Sequence, residues 1–198
     1  GASASTVESG QVFSALTLTV SNVSDGASEV LVLDGTEISL IDGASGSTGS
    51  NNLAYGVSLS GSTATVTLSG ALSASATEAF VNGLGYRNVS DDPAAGSRVV
   101  AFTSAQDDGG TANGGDDTIA LVLASTVTVS AVNDEPTVTA SGGTTSFMEN
   151  TGAVTVDSGV ALSDPDNSTL AWATVSITAN YQPGADVLAF TNSDAITY

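Results

Sequence analysis

The side chains able to do chemistry in this chain are almost all carboxylates. Its 198 residues carry 15 Asp and six Glu against two Arg, with no Lys, His or Cys, for a net charge of −19. Without Cys or His there is no thiol nucleophile, no disulfide, no zinc site of the usual ligands and no imidazole acid–base catalysis. What remains is oxygen chemistry. Asn133, Asp134 and Glu135 stand in a row before Pro136, and Asp164-Pro165-Asp166-Asn167 alternates acids a short way on. A Ca²⁺ ion takes about six to eight such oxygens at ~2.3–2.6 Å. Divalent cations would also relieve the self-repulsion of so acidic a chain.

The same charge excludes partners. Two Arg cannot neutralise a run of phosphates, so nucleic acid is excluded, and an anionic membrane surface would repel the chain. No apolar stretch reaches the ~18 residues of a membrane-spanning helix, so direct membrane insertion is not expected. The excess of Asp over Glu places the acids in loops rather than helix interiors.

Strands must position these loops. Leu16, Leu18 and Val20 alternate with Thr17, Thr19 and Ser21; Ala64, Val66 and Leu68 alternate with Thr65, Thr67 and Ser69; Ile119, Leu121 and Leu123 continue toward Val127 and Val129. Period-two alternation with Thr and Ser outside predicts half-buried strands. Asp34-Gly35 between Glu29–Leu33 and residues 36–41 predicts a tight hairpin. One segment departs from the pattern: residues 73–83, SASATEAFVNG, have a Ser cap, apolar Ala76, Ala79 and Phe80 at helical spacing, and a terminal Gly. A short helix there would cover an open end of a sandwich. The Gly/Ser-rich run 42–52 reads as a flexible loop with no chemistry. Tyr86 is expected to be a tyrosine-corner residue with its hydroxyl on backbone.

An internal repeat organises the whole. Thr6-Val7-Glu8 stands against Phe147-Met148-Glu149, Ser24-Asp25-Gly26 against Ser163-Asp164-Pro165, and Glu29–Leu33 against residues 186–190, with a period of 141 residues from Glu8 to Glu149. Residues 1–132 form one complete repeat, 133–136 a calcium-binding linker, and 137–198 the first part of a second, incomplete repeat. A sandwich without its last strands exposes edges and half a core. The missing strands are expected either from the rest of a longer array or from another chain.

Counting strands through a seven-strand Greek-key sandwich places Glu8, Asp91 and Asp92 at the lower end of the first repeat, with Asp25 and the acidic loop 107–117 at the upper end. The linker Asn133, Asp134 and Glu135 and the upper loop of the second repeat, Asp164 and Asp166, would join the lower set. So many carboxylates share a small volume only with cations between them. These eight residues are the expected metal ligands.

The phrases Ala131-Val132-Asn133-Asp134-Glu135-Pro136, Tyr86-Arg87-Asn88-Val89-Ser90-Asp91 and Ser163-Asp164-Pro165-Asp166 resemble the bacterial cadherin-like tandem repeats of giant secreted adhesins. The resemblance implies an all-β fold of tandem Greek-key β-sandwich (cadherin/Ig-like) domains with one short helix in the first. It further implies export, Ca²⁺-driven folding and stiffening outside the cell, and a structural or adhesive role whose partners are neighbouring repeats of the same protein. The chain departs from the pattern at Asp25-Gly26-Ala27, where the second repeat has Asp164-Pro165-Asp166. Two other readings remain: a carbohydrate- or peptide-binding adhesion module, and a filament subunit completed by strands from a neighbouring copy in homo-oligomeric contacts. Catalysis is not expected, because the aromatics that line sugar sites are few, one Trp and four Tyr, and Trp172 has no definite facing in its strand.

Overall fold

The alternation of Leu16, Leu18 and Val20 is realised as strand β1, Phe13–Ser21, whose apolar side chains are buried while Thr17 and Thr19 lie half-exposed on the other face. In this computed structural model residues 1–6 and 8–190 are described. Val7 and residues 191–198, which carry parts of the repeat comparison, lie outside the described residues. The chain divides into two units, Gly1–Val132 and Asn133–Tyr198.

Unit 1 is built from antiparallel strands and one helix. After β1 come β2 (Glu29–Leu33), β3 (Thr36–Ser39), β4 (Ser45–Ser47), β5 (Ala54–Ser60), β6 (Thr63–Leu72), helix α1 (Ala74–Asn82), β7 (Gly85–Asn88), β8 (Gly96–Asp107) and β9 (Thr118–Val129). A six-stranded sheet has the order β4-β5-β6-β1-β8-β9, and a three-stranded sheet has the order β3-β2-β7. One apolar core lies between them. Leu16, Leu18, Val20, Val66, Leu68 and Phe102 come from the larger sheet, and Leu31, Leu33 and Ile38 from the smaller. The chain is thus all-β with one short helix.

Local chemistry accounts for the elements. Asp34 and Gly35 both adopt positive φ, 48° and 75°, as the two-residue turn between β2 and β3 requires. Ser73 caps α1 by accepting the Ala76 amide at 3.2 Å. The helix buries Thr77 and Phe80, and the Phe80 ring meets Phe102 edge-on at 6.4 Å. The run 42–52 is not the free loop its composition suggests. It contains β4, its Thr48 is buried, and Asp34 holds it by accepting from the Thr48 hydroxyl, the Asn51 amide (2.9 Å) and the Asn51 side chain (2.5 Å).

Two expectations fail in instructive ways. β9 forms, and Leu121 packs half-buried against the core, but Ile119 is 59% and Leu123 56% exposed, so these two are not covered. The smaller sheet stops at β7 and leaves this rim of the larger sheet open. Residues 1–6 do not form a first strand. They lie along α1, with the Ala2 amide donating to Asn82 Oδ1 (2.8 Å) and the Ala4 amide to Glu78 Oε1 (3.0 Å).

Unit 2 pairs β10 (Thr137–Thr139) with β11 (Ala161–Ser163). Residues 164–190 contain no strand. All buried residues of the described chain belong to unit 1, and Trp172 and Val175 of unit 2 are about four-fifths exposed, at 81% and 80%. Among the described residues no helix is long and apolar enough to cross a membrane.

Candidate functional site

The polar centre of unit 1 is an ion-pair network that the sequence reading did not anticipate. Glu29 opens β2 and shares its parity with Leu31 and Leu33, so it points into the sandwich and is fully buried. Arg98, near the start of β8, shares the parity of Val100 and Phe102 and is buried opposite it. Arg98 Nε donates to Glu29 Oε2 and Nη2 to Glu29 Oε1, both at 3.0 Å, a two-pronged pairing. Nη2 also donates to Ser24 Oγ (2.9 Å) and the Ala94 carbonyl (3.1 Å), and lies 3.5 Å from Asp25 Oδ2.

The remaining lone pairs of Glu29 are filled by the amides of Ser24 (2.7 Å) and Asp25 (2.9 Å) and by the Tyr86 hydroxyl (2.9 Å). Burial alone would push this carboxyl up. The bonds from Arg98, the two amides and Tyr86 outweigh burial and bring it down from 4.5 to about 2. Burial and the adjacent Glu29 push the Tyr86 phenol up to about 12, so it stays a donor. Tyr86 therefore bonds a carboxylate and not backbone, unlike a tyrosine corner. Its ring lies on β7, whose register sets it beside Leu31 of β2, next to the inward-facing Glu29.

Asp25 completes the network. Its Oδ2 accepts from Asn88 Nδ2 (2.5 Å) and the Ala94 amide (3.0 Å), which fastens the loop carrying Asp91 and Asp92. Asp25 thus lies at the same end as that loop, not at the opposite end. β9 also finishes there, since Gly96 pairs with Val129. Glu8 lies at the other end: β1 runs from Phe13, paired with Asp107, to Ser21, paired with Val99. The loop 107–117 shares the Glu8 end, where Asp108 Oδ1 accepts the Val12 amide at 2.9 Å. Asp107, Asp116 and Asp117 there accept from Gly109, Thr118 and Gln106, so this loop is satisfied by its own donors. The strand count erred because β4, β5 and β7 were not in it; these three additional strands between Asp25 and the loop 88–94 bring Asp91 and Asp92 to the Asp25 end and carry the loop 107–117 to the Glu8 end.

The structure thus separates Glu8 from Asp91 and Asp92 within unit 1. The other five expected ligands, Asn133, Asp134, Glu135, Asp164 and Asp166, belong to unit 2. There the linker and the acidic turn do converge. Asp164 Oδ1 accepts the amides of Asp166 (2.9 Å) and Asn167 (2.8 Å), which shapes the Asp-x-Asp turn. Asp166 Oδ2 accepts the Asp134 amide, and Asn167 Nδ2 reaches Asn133 Oδ1 at 3.4 Å. Asn167, which the sequence reading placed in the motif but not among the eight ligands, is a member of this cluster. No hydrogen bond ties the Glu135 side chain into the cluster.

The donors of unit 2 fit a hard divalent cation in kind, since every side-chain ligand atom on offer is a carboxylate or amide oxygen. They do not amount to a preformed cage: among the described residues no group of three or more Asp, Glu, His or Cys converges to hold a metal. The rest of a coordination shell would come from carbonyls, water and chain beyond this cluster.

Comparison with protein-family models, with curated proteins and with solved structures finds no match to this chain.

Proposed function

We propose that the chain is a calcium-stiffened extender segment of a large extracellular bacterial surface protein, built from tandem Greek-key sandwiches of the cadherin/Ig-like kind. Its role is length and stiffness rather than turnover. The observation that carries the reading is the closure of the Asp164–Asn167 turn onto linker residues Asn133 and Asp134, because it gathers an all-oxygen donor set at the point where one repeat hands over to the next. Asp134, Asp164 and Asp166, with the amide oxygens of Asn133 and Asn167, are the residues that would hold the ion. When bound, the ion supplies a cross-link between the linker and the Asp164–Asn167 turn. The net charge of −19 adds a general electrostatic gain on cation uptake.

Calorimetric titration with Ca²⁺, paired with thermal melting, tests this. An ion that binds only the folded state adds RT ln(1 + [L]/Kd), about 2.7 kcal/mol at a hundredfold excess over Kd. Melting should therefore shift upward with Ca²⁺ and back with chelator, and Asp166→Ala should abolish most of the titration heat. A melting curve indifferent to chelator removes the calcium reading.

A further inference from the structure

The dipeptide Asn-Gly occurs twice in the chain, at Asn82-Gly83 and at Asn113-Gly114. At this dipeptide an asparagine side chain is especially open to attack by its own backbone. Glycine has no β-carbon to crowd the following amide, and it lets the chain swing through conformations closed to other residues. Both asparagines are exposed, so exposure does not separate them. Hydrogen bonding does, and the fold treats the two copies in opposite ways.

Asn82 is the last residue of α1. Its Oδ1 accepts the Ala2 amide at 2.8 Å, and the Gly83 amide, whose nitrogen would attack, donates to the Ala79 carbonyl at 2.9 Å. Attack requires both bonds to open first. Asn113 has neither restraint. It stands in the loop 107–117 between β8 and β9, in the left-handed region at φ 57° and ψ 24°. Its side chain makes no hydrogen bond among the described residues. A β-carbon built on Gly114 meets nothing within 4 Å, so the space beside the attacking nitrogen is open. The backbone bond that spans the step runs from the Gly115 amide to the Ala112 carbonyl (3.1 Å) and does not involve the Gly114 nitrogen.

We infer that Asn113-Gly114 is a self-modification site, where the chain turns a neutral amide into a carboxylate with water as the only co-reactant. The Gly114 nitrogen gives up its proton and bonds to Asn113 Cγ. The Cγ–Nδ2 bond breaks, and Nδ2 leaves as ammonia carrying that proton, which closes a five-membered cyclic imide. Water then adds to one of the two imide carbonyls and breaks its bond to the Gly114 nitrogen. Opening at Cγ leaves aspartate; opening at the backbone carbonyl leaves isoaspartate, with the chain running through the former side chain. Either product adds one negative charge to the −19 of the chain, in the loop that already carries Asp107, Asp108, Asp116 and Asp117. The change stays in the loop. The Asp107 amide bonds the Asp117 carbonyl at 2.9 Å and closes the β8–β9 hairpin at its base, and Asp108 Oδ1 ties the same base to the Val12 amide. The charge at this end of the sandwich thus rises with the age of the molecule while the sandwich stands. The inference needs no ion and is independent of the calcium reading.

The experiment is incubation of the whole folded chain at physiological temperature, at neutral and mildly alkaline pH, beside a sample unfolded in urea, with peptide mapping by mass spectrometry at intervals. Two hydrogen bonds should make attack-ready Asn82 rarer by roughly tenfold or more. Asn113 should therefore convert faster than Asn82 by at least that factor in the folded chain, and faster still as pH rises, because the attacking nitrogen must lose its proton. In urea the two should convert within a few-fold of each other. Asn113→Gln, which lengthens the side chain and disfavours ring closure, should remove the acidic product seen on ion exchange. The aged wild-type chain should melt as the fresh one does. Equal conversion of the two asparagines in the folded chain overturns the inference, as does a folded chain whose Asn113 stays intact while the unfolded one converts. An acidic product that persists in Asn113→Gln overturns it too, and a melt that falls with conversion overturns its confinement to the loop.

Discussion

Replacing Arg98 by Met should be among the most damaging single changes in unit 1. Met keeps much of the aliphatic stem but removes the two bonds to Glu29, those to Ser24 and the Ala94 carbonyl, and the ion pair to Asp25. The carboxylate left behind is fully buried and keeps two amides, the Tyr86 hydroxyl and a long 3.5 Å bond from the Ser24 hydroxyl. Removing one partner of such a pair costs about 3–5 kcal/mol, most of it the uncompensated charge. For a unit of this size that is a fall in Tm of roughly 10–20 °C. Urea unfolding followed by far-ultraviolet circular dichroism is the assay, since the single Trp, Trp172, belongs to unit 2. Arg87→Met is the internal control. Its pair with Glu37 has the same 3.0 Å separation but is about half exposed, at 54% and 48%, so its loss should cost ~0–1 kcal/mol. Adding Glu29→Gln to Arg98→Met should restore part of the loss, and Arg98→Met alone should gain stability as mild acid protonates the stranded carboxyl. If Arg98→Met costs no more than Arg87→Met, the argument from burial is wrong.

In the wild-type chain the pH dependence runs the other way. Glu29 is held at about 2 against 4.5 when free, so it contributes about 3 kcal/mol that is fully present above pH ~5 and lost as pH falls toward 2; acid titration of stability should show that window, and Glu29→Gln should flatten it. Asp34→Ala should cost about 1–3 kcal/mol, measured by urea midpoint, because it leaves the buried Thr48 O–H without an acceptor and puts a β-carbon without a local bond at φ 48°. Phe80→Ala should cost about 3–5 kcal/mol and expose the core to dye binding, since Phe80 joins α1 to Phe102. Asp25→Ala should lower stability equally with and without chelator, whereas Asp91→Asn with Asp92→Asn should leave the chelated protein unchanged and shrink only the increment that Ca²⁺ gives.

Elements whose signal is local were legible in the sequence. The buried faces of β1 and β6, the Asp34-Gly35 hairpin and the Ser73-capped helix each follow from a few adjacent residues. What failed depends on a global count. Whether Asp91 and Asp92 share an end with Glu8 is set by how many strands lie between Asp25 and the loop 88–94, and β4, inside the Gly/Ser-rich run, β5 and the four-residue β7 went uncounted. The Arg98–Glu29 pair did have a signal. Each sits at the core parity of its own strand, Arg98 with Val100 and Phe102, Glu29 with Leu31 and Leu33. Two inward charges of opposite sign on different strands must pair, because neither can be buried alone. Attention to the surplus of acids concealed the single cation that answers two of them. The run 42–52 was misread for a related reason: Gly and Ser report backbone freedom, but the tether comes from Asp34, far back in the chain.

The division of the acids bears on where a metal can act. At the end where β9 leaves unit 1, Asp25 and Glu29 are already neutralised from within: Asp25 by Arg98, Asn88 and the Ala94 amide, Glu29 by Arg98. An ion drawing on Oδ2 of Asp25 would have to displace three donors from that oxygen. The buried arginine therefore does inside the sandwich what a cation would otherwise do at its surface, and it does so without any metal. It also anchors the loop 88–94, through Asp25 and its own bond to Ala94, so Asp91 and Asp92 are offered to solvent on a fixed base rather than a floppy one. A carboxylate pair so held loses little conformational entropy when it meets a cation. The function proposed for the chain needs such a division: a permanent charge pair to keep the repeat folded whether or not calcium is present, and a second, uncompensated set of acids whose only relief is a metal.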